Sequence, residues 1–214
     1  MYISKRVRKL IEVVLRSFVL SLYRRFEVGQ FEGIRLTELG STSQFRDILL
    51  AALRLLQGTD ARRFRRVCKH LSWVVHRTLA LRGQAQYNSL TRACEIDFLP
   101  PSSEYDSEWL AGRYACTLVH EATHGLLLSR GIPYSPELRV RVERLCVREE
   151  QRFLFHLTIT QPNLADRLYR EFDASNWAES WRMSPTQRLL KELRRSSPPR
   201  RFCKELRRIF FRNK

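Results

Sequence analysis

The sequence lacks the features that mark disulfide-rich, membrane-spanning and repeat proteins. It has only five cysteines, an odd number with no Cys-x-x-Cys pair, so we expect no disulfide framework and favour a reducing compartment such as the cytoplasm. It also lacks an apolar run of about 18 residues, so no transmembrane helix is predicted. With 214 residues and no internal repeat, the chain is expected to form one domain with or without appendages.

Positive charge is in excess, and it is concentrated at the two ends of the chain. The net charge is +17, but residues 1–25 have seven basic residues against one acid, and residues 188–214 have eleven against two. The segment between them is close to neutral. Basic ends favour an anionic partner, which could be nucleic acid, an acidic membrane surface or an acidic protein. Solvated helix faces explain the same charge equally well.

The N-terminal segment superficially resembles a signal peptide. A basic start is followed by a mostly apolar stretch, but Glu12 and Arg16 interrupt that stretch and no small-x-small cleavage site follows. The apolar residues Ile11, Phe18 and Leu22 fall on one helical face. We therefore predict a basic amphipathic helix within residues 1–28 that packs on the body or lies on a membrane surface.

Helical periodicity dominates the rest of the chain. The predicted helices are 3–27, 43–57, 59–81, 107–130 and 136–157, and the predicted strands are 31–36 and 94–98. Two or three further helices are expected, including one that starts at Ser184 and a last one after the 196–199 hinge. The predicted fold is mainly α (α+β), with a catalytic domain over 29–195 and a basic tail helix over 196–214.

The segment His120-Glu121-Ala122-Thr123-His124 is the strongest chemical motif in the sequence. On a helix, positions i and i+4 share a face, so His120 and His124 can direct two imidazoles at one Zn²⁺ ion. Glu121 projects beside them and can act as a general base. The residues that flank the motif are uncharged, which is compatible with a buried helix.

A third ligand is expected from the helix that follows. Glu143 comes after His124 with eighteen residues between them, and the intervening turn at 131–133 would fold its helix back antiparallel to the motif helix. Glu150 shares a face with Glu143 and is either the competing ligand or the acceptor for a ligand imidazole; Glu149 does not share that face. Ordinary solvated carboxylates, paired with nearby arginines, are the alternative. Those arginines are Arg139, Arg144 and Arg148.

This pattern resembles the gluzincin branch of the zincins, over about residues 94–150. The resemblance implies a helical zincin-like domain and Zn²⁺ held by His120, His124 and Glu143, with Glu121 as base. It also implies an edge strand that binds extended peptide, for which residues 94–99 are the candidate, and a residue that stabilises the oxyanion, for which Tyr134 is the candidate. The eighteen-residue gap matches the aminopeptidase group, but the Gly-rich motif of that group is absent.

The remaining histidines and cysteines are expected to be structural. His156 falls on the wrong side of its helix to be a ligand, His70 and His76 precede the predicted strand, and Cys116 and Cys146 fit a buried core. We therefore predict a zinc-dependent hydrolase, specifically a metallopeptidase acting on a peptide or protein substrate. The alternative is a basic protein that binds nucleic acid or a membrane surface and has a non-catalytic zinc site. A secreted protease also stays open.

Overall fold

The computed structural model describes residues 5–39, 44–77 and 85–171. Its helices are α1 (Lys5–Arg25), α2 (Phe45–Thr59), α3 (Ala61–His70), α4 (Ser107–Ser129), α5 (Arg139–Thr160) and α6 (Pro162–Glu171). Its strands are β1 (Glu27–Phe31), β2 (Ile34–Glu38), β3 (Trp73–His76), β4 (Ala85–Asn88) and β5 (Ala93–Ile96). The prediction of a mainly helical α+β class is confirmed. The helices expected from Ser184 and after the 196–199 hinge lie outside the described residues. The predicted domain boundary between residues 195 and 196 also lies outside them.

The five strands form one mixed sheet in the order β1-β2-β3-β5-β4. The central strands β2, β3 and β5 are parallel, and the two outer strands pair antiparallel to their neighbours. The single strand predicted over 31–36 is wrong, because the chain reverses there. Glu32 and Gly33 both have positive φ, as a two-residue hairpin turn requires, and they separate β1 from β2.

The third helix is shorter than predicted. Asp60 caps its start, since its carboxylate accepts the backbone N–H of Arg63 at 3.0 Å. The helix ends at His70 rather than continuing to residue 81, and β3 follows. All four residues of β3 are buried. A strand buried on both faces has no alternating pattern, so its short apolar run can be mistaken for part of a helix.

Helix α4 lies at the centre of the described fold, in contact with α2, α3, α5, α6 and the sheet. Asp106 caps its start by accepting the N–H of Trp109 at 2.8 Å. At its end the N–H groups of Gly131 and Ile132 reach back to the carbonyls of Leu128 and Leu127, and Gly131 has φ +77°. This is a Schellman motif, in which glycine supplies the left-handed residue. The prediction for this helix is confirmed.

Helix α5 runs antiparallel to α4 after a short connection. The sequence predicted its start at residue 136, but residues 136–138 form a turn and the helix begins at Arg139. The carbonyl of Ser135 accepts the N–H of Leu138 in that turn. Leu138 and Ile132 pack on a small apolar cluster shared by the two helices. This cluster holds α5 against the motif helix.

Helix α1 contacts the described fold through its C-terminal part. Tyr23 packs on Trp73 and donates a hydrogen bond to Glu95 Oε1 at 2.9 Å. The earlier apolar side chains Leu10, Val14 and Phe18 are 64%, 59% and 69% exposed. Within the described ranges, no helix has both the length and the apolar character needed to cross a membrane.

Candidate metal centre

The two motif histidines lie side by side on the buried face of α4. The ring centroids of His120 and His124 are 5.0 Å apart, as expected for residues one helical turn apart. Surrounding α4 residues such as Val119 and Ala122 are fully buried, so the imidazoles face α5 from a helix that is packed on several sides. The sequence prediction that the motif lies inside a buried helix is confirmed.

Glu143 of α5 contacts both imidazoles. Its Oε2 atom is 3.2 Å from Nε2 of His120 and 3.8 Å from Nε2 of His124. Ligand atoms about 2.0–2.1 Å from a tetrahedral zinc ion are about 3.3 Å apart, so the distances from Glu143 to the two imidazoles are close to the spacing that such an ion requires. The structure therefore brings together the three residues that the sequence selected as ligands.

Cys146 is a fourth potential ligand that the sequence reasoning missed. It lies one turn after Glu143 on α5, is fully buried, and places its Sγ within 4.8 Å of ligand atoms of His120 and His124. The expectation that this cysteine is buried is confirmed, but its neighbours are the two histidines as well as the core. The i, i+3 relation to Glu143 was the available signal. Burial raises the pKa of the thiol.

Glu150 fixes the orientation of His120. One of its carboxylate oxygens makes a short hydrogen bond with Nδ1 of the imidazole, which leaves Nε2 directed towards Glu143. The other oxygen is buried and has no hydrogen-bond partner among the described residues. A carboxylate on the far nitrogen of a ligand histidine is the usual way to set its tautomer and basicity. Glu150 thus occupies the acceptor position, whereas Glu143 faces both rings.

The site has an excess of buried negative charge. Glu121, Glu143 and Glu150 are all at least 92% buried, and they face two imidazoles. Buried carboxylates are costly without cationic partners, so this donor set favours a bound cation. The donor set also includes imidazole nitrogen and thiol sulfur, which are borderline and soft ligands. It therefore fits Zn²⁺ better than Mg²⁺ or Ca²⁺, which prefer oxygen ligands.

The residues of the site change one another's pKa. Burial lowers the pKa of His120, but the charge of Glu150 and the hydrogen bonds with Glu143 and Glu150 raise it well above its usual range. Burial and the neighbouring His120 lower the pKa of His124 to about 4. Burial raises the pKa of Glu143, yet its contacts with His120 dominate and lower it to about 2. At neutral pH His124 and Glu143 are therefore in the protonation states that bind metal, whereas His120 carries a proton that a bound metal ion would displace.

Glu121 lies beside the histidines and does not share their contacts with Glu143. Burial raises its pKa to about 7, and the charges of Glu143 and Glu150 add to the rise while His120 opposes it. Its carboxylate accepts a backbone hydrogen bond from Tyr87 of β4. A carboxylate with a pKa near the working pH is suited to accept and return a proton.

Tyr134 lies in the connection between the two site helices. Its hydroxyl donates a short hydrogen bond to Oε1 of Glu143 and accepts one from Nε of Arg139 at 3.0 Å. Its ring lies edge-on to His124, with centroids 5.2 Å apart. Burial and the bond to Glu143 raise the pKa of this phenol. The hydroxyl therefore reaches the site and is engaged with a candidate ligand.

The strand predicted to form the edge of the sheet near the motif helix is not an edge strand. Residues 93–96 form β5, which lies between β3 and β4. The outer strand on this side is β4, and α4 approaches it closely: a Cβ on Gly125 would lie 3.0 Å from the Tyr87 hydroxyl oxygen. The edge nearest to the candidate site is thus formed by β4, which the sequence reasoning did not identify.

The other polar residues considered from the sequence have other surroundings. His76 packs against Phe45 and Phe98, and His156 lies 3.5 Å from Asp60. Glu149 points away from the site and pairs with Arg63, Arg66 and Arg152. These residues are outside the candidate centre, as expected for His76 and His156.

Comparisons with protein-family models, with curated proteins and with solved structures find no match.

Proposed function

We propose that this protein is a zinc-dependent hydrolase, and specifically a metallopeptidase. The observation that carries the proposal is the approach of Glu143 Oε2 to Nε2 of both motif histidines, at 3.2 and 3.8 Å. The buried Glu121 beside this group supports catalysis over a purely structural role, because a structural site does not require a base there. The resemblance to gluzincins supports peptide-bond hydrolysis as the reaction.

His120, His124 and Glu143 would hold the metal. A zinc ion bound there would supply Lewis acidity, which activates water and polarises a carbonyl group. Glu150 would keep the His120 ring in place through Nδ1. Tyr134, whose hydroxyl donates to Glu143 in the structure, would turn its O–H from that carboxylate to the carbonyl oxygen and donate a hydrogen bond there as negative charge develops.

Glu121 would move the proton. Its raised pKa of about 7 lets the carboxylate accept a proton from the attacking water and return it to the leaving amine. The backbone N–H of Tyr87 holds this carboxylate next to the edge strand β4. An extended peptide added to that edge would therefore lie beside the base. In this proposal β4 replaces residues 94–99 as the peptide-binding strand.

Cys146 is the basis of a second candidate function. Two histidines, Glu143 and Cys146 together make four protein ligands, the number typical of closed structural zinc sites. Such a site would have no open position for water. A non-catalytic zinc site in a basic binding protein is therefore the competing proposal, and the number of protein ligands separates the two.

The experiment combines metal analysis with spectroscopy and an activity screen on the purified full chain. We expect one zinc per chain, a large loss of zinc affinity in Glu143→Ala, and retention of the metal in Cys146→Ser. Cobalt-substituted wild type should lack the thiolate charge-transfer band. Hydrolysis of a mixed peptide library should disappear on chelation and return with zinc.

Opposite results would reject the peptidase proposal. A thiolate band that is absent in Cys146→Ser, together with a library left uncut by the zinc-loaded protein, would establish the closed structural site. Zinc binding that survives Glu143→Ala but not Glu150→Ala would show that Glu150, rather than Glu143, is the third ligand. Zinc content near zero in wild type would reject both candidate functions of the site.

We also propose that α1 attaches the protein to an anionic membrane surface. Apolar side chains on this helix, including Leu10, Val14 and Phe18, are more than half exposed, and basic residues are interspersed with them. Such a helix can bury its apolar side chains at the headgroup boundary while its Lys and Arg residues contact acidic lipids.

Vesicle sedimentation tests the membrane proposal. Wild type should sediment with phosphatidylserine-containing vesicles and much less with neutral ones, and Phe18→Glu should lose most of this binding. Ile159→Glu, which changes a similarly exposed apolar residue outside α1, is the matched control and should sediment like wild type. Equal loss in both variants would contradict a specific role for α1.

A further inference from the structure

The outer face of α5 carries a row of arginines that the proposed function does not use. Arg141, Arg144, Arg148 and Arg152 recur at intervals of three or four residues, so they fall on one side of the helix, and we call them the arginine track. All four are exposed. At 1.5 Å per residue the track is about 17 Å long. It lies within the part of the sequence that is close to neutral overall, away from the basic ends.

Most of the charge on the track is unpaired within the described part of the chain. Arg152 pairs with Glu149, whereas Arg141, Arg144 and Arg148 have no ion pair or hydrogen bond with a described residue. Surface arginines often have acidic neighbours on the same helix. Here the only exposed acid beside the track, among the residues that the structure describes, is Glu137 at its N-terminal end. The track therefore presents a local concentration of positive charge to solvent.

Two adjoining clefts open along the track, and they share Arg148. The larger has a volume of about 640 Å³ and includes Arg62 from α3, and the smaller, of about 420 Å³, includes Arg141 and Arg144. The carboxylate in the larger cleft, Asp60, is already bound to the buried Arg63. A ligand in these clefts would thus meet guanidinium groups from two helices, with little competition from acids.

An exposed aromatic ring continues the same face. Phe155 follows Arg152 by three residues, is 63% exposed and lines the larger cleft together with His156. Guanidinium groups pair with phosphate oxygens through two parallel hydrogen bonds, and a solvent-exposed ring can stack on a nucleobase. An acidic peptide or a lipid headgroup would use the arginines but would not require the ring.

We propose that the outer face of α5 binds single-stranded nucleic acid, with the arginine track contacting phosphates and Phe155 stacking on a base. With its bases stacked as in one strand of duplex DNA, at 3.4 Å per nucleotide, a segment of about five nucleotides matches the length of the track. This surface is on the side of α5 opposite Glu143 and Cys146, which face the motif histidines. The proposal is therefore independent of the proposed metal chemistry.

The test measures binding of a labelled, mixed-sequence single-stranded oligonucleotide to the full chain over a range of salt concentrations. The variant Arg144→Gln/Arg148→Gln should weaken binding roughly twentyfold at 0.1 M salt and reduce the salt slope by about 1.4, which is two phosphate contacts at about 0.7 each. The variant Arg54→Gln/Arg65→Gln removes the same charge from exposed arginines outside both clefts and should bind nearly as wild type. Zinc content should be equal in all three proteins.

Photocrosslinking locates the contact. An oligonucleotide with 5-iodouracil should crosslink to the tryptic peptide 153–167, which contains Phe155, and Phe155→Leu should remove that crosslink and weaken binding about fivefold or more. Equal weakening in the two double variants, or crosslinks confined to other peptides, would overturn the proposal. So would anionic vesicles or poly-glutamate that displace the oligonucleotide while Phe155→Leu has no effect.

Discussion

Glu121→Gln is expected to lower the turnover of peptide substrates by about 10²–10⁴-fold while the protein keeps its zinc. The amide has almost the same shape as the carboxylate and can still accept the backbone hydrogen bond of Tyr87, but it cannot take up a proton. Glu121 is not among the groups that contact Glu143, whereas His120 and His124 are, so metal affinity should change little. Steady-state kinetics and metal analysis on the same preparation measure both effects.

A matched control for this prediction lies on the same helix. Glu108 is in the first turn of α4, with a side chain that is 68% exposed. Glu108→Gln should therefore retain wild-type turnover and zinc content. Full activity of Glu121→Gln would exclude Glu121 as the base, and loss of zinc from that variant would show that this carboxylate is a ligand instead.

His120→Ala is expected to have the largest effect on zinc affinity and also to destabilise the metal-free protein. It removes a ligand atom, so the loss of affinity should exceed the 10–100-fold expected for Glu150→Gln, which only removes the support of that ligand. It also leaves Glu143 and Glu150 buried without their shared imidazole. Removing one partner of a buried ion pair costs about 3–5 kcal/mol of unfolding free energy.

Competitive zinc titration and urea unfolding after chelation measure the two effects separately. His156→Ala is the control, because His156 is half-exposed and outside the site. Its zinc affinity should equal that of wild type. If His120→Ala binds zinc as tightly as Glu150→Gln does, His120 is not a ligand. If its metal-free form is as stable as wild type, the His120–Glu150 contact contributes little to folding.

The sequence predicted those parts of the fold and site that depend on local signals. Helix α4 has a side-chain cap, an uninterrupted helical pattern and a glycine in its C-terminal turn, and both of its ends were predicted to within one residue. The pairing of His120 and His124 on one face follows from helix geometry alone. The prediction that Glu143 lies close to these histidines required only that the next helix fold back on α4.

Features that depend on the surroundings of a segment were harder to predict. Strand β3 is buried on both faces, so its residues lack the alternation by which a strand is recognised. Strand β4 contains Gln86 and Asn88, whose amides bind the buried carboxylate of Glu95, a partnership visible only after folding. The position of β4 at the edge of the sheet likewise depends on strand order, which the sequence does not reveal locally.

Cys146 illustrates the same difficulty within the site. A buried cysteine on a helix is usually a small apolar side chain, and this one does pack with Leu127 and Val142. Its nearness to the histidines depends on the rotation of α5 about its own axis. The sequence restricts that rotation only through the pattern of buried positions, which Glu143, Cys146 and Glu150 all satisfy.

The turn that joins α4 to α5 also affects how related proteins can be recognised. The Schellman turn at Gly131 and the residues up to Leu138 set the distance along the chain between the histidines and Glu143, whereas the packing of the two helices sets their distance in space. Surface connections accept insertions far more readily than packed helices do. Homologues could therefore conserve this three-residue centre with gaps other than eighteen. A pattern search with a fixed gap would miss them, whereas a search that allows a variable gap would detect them.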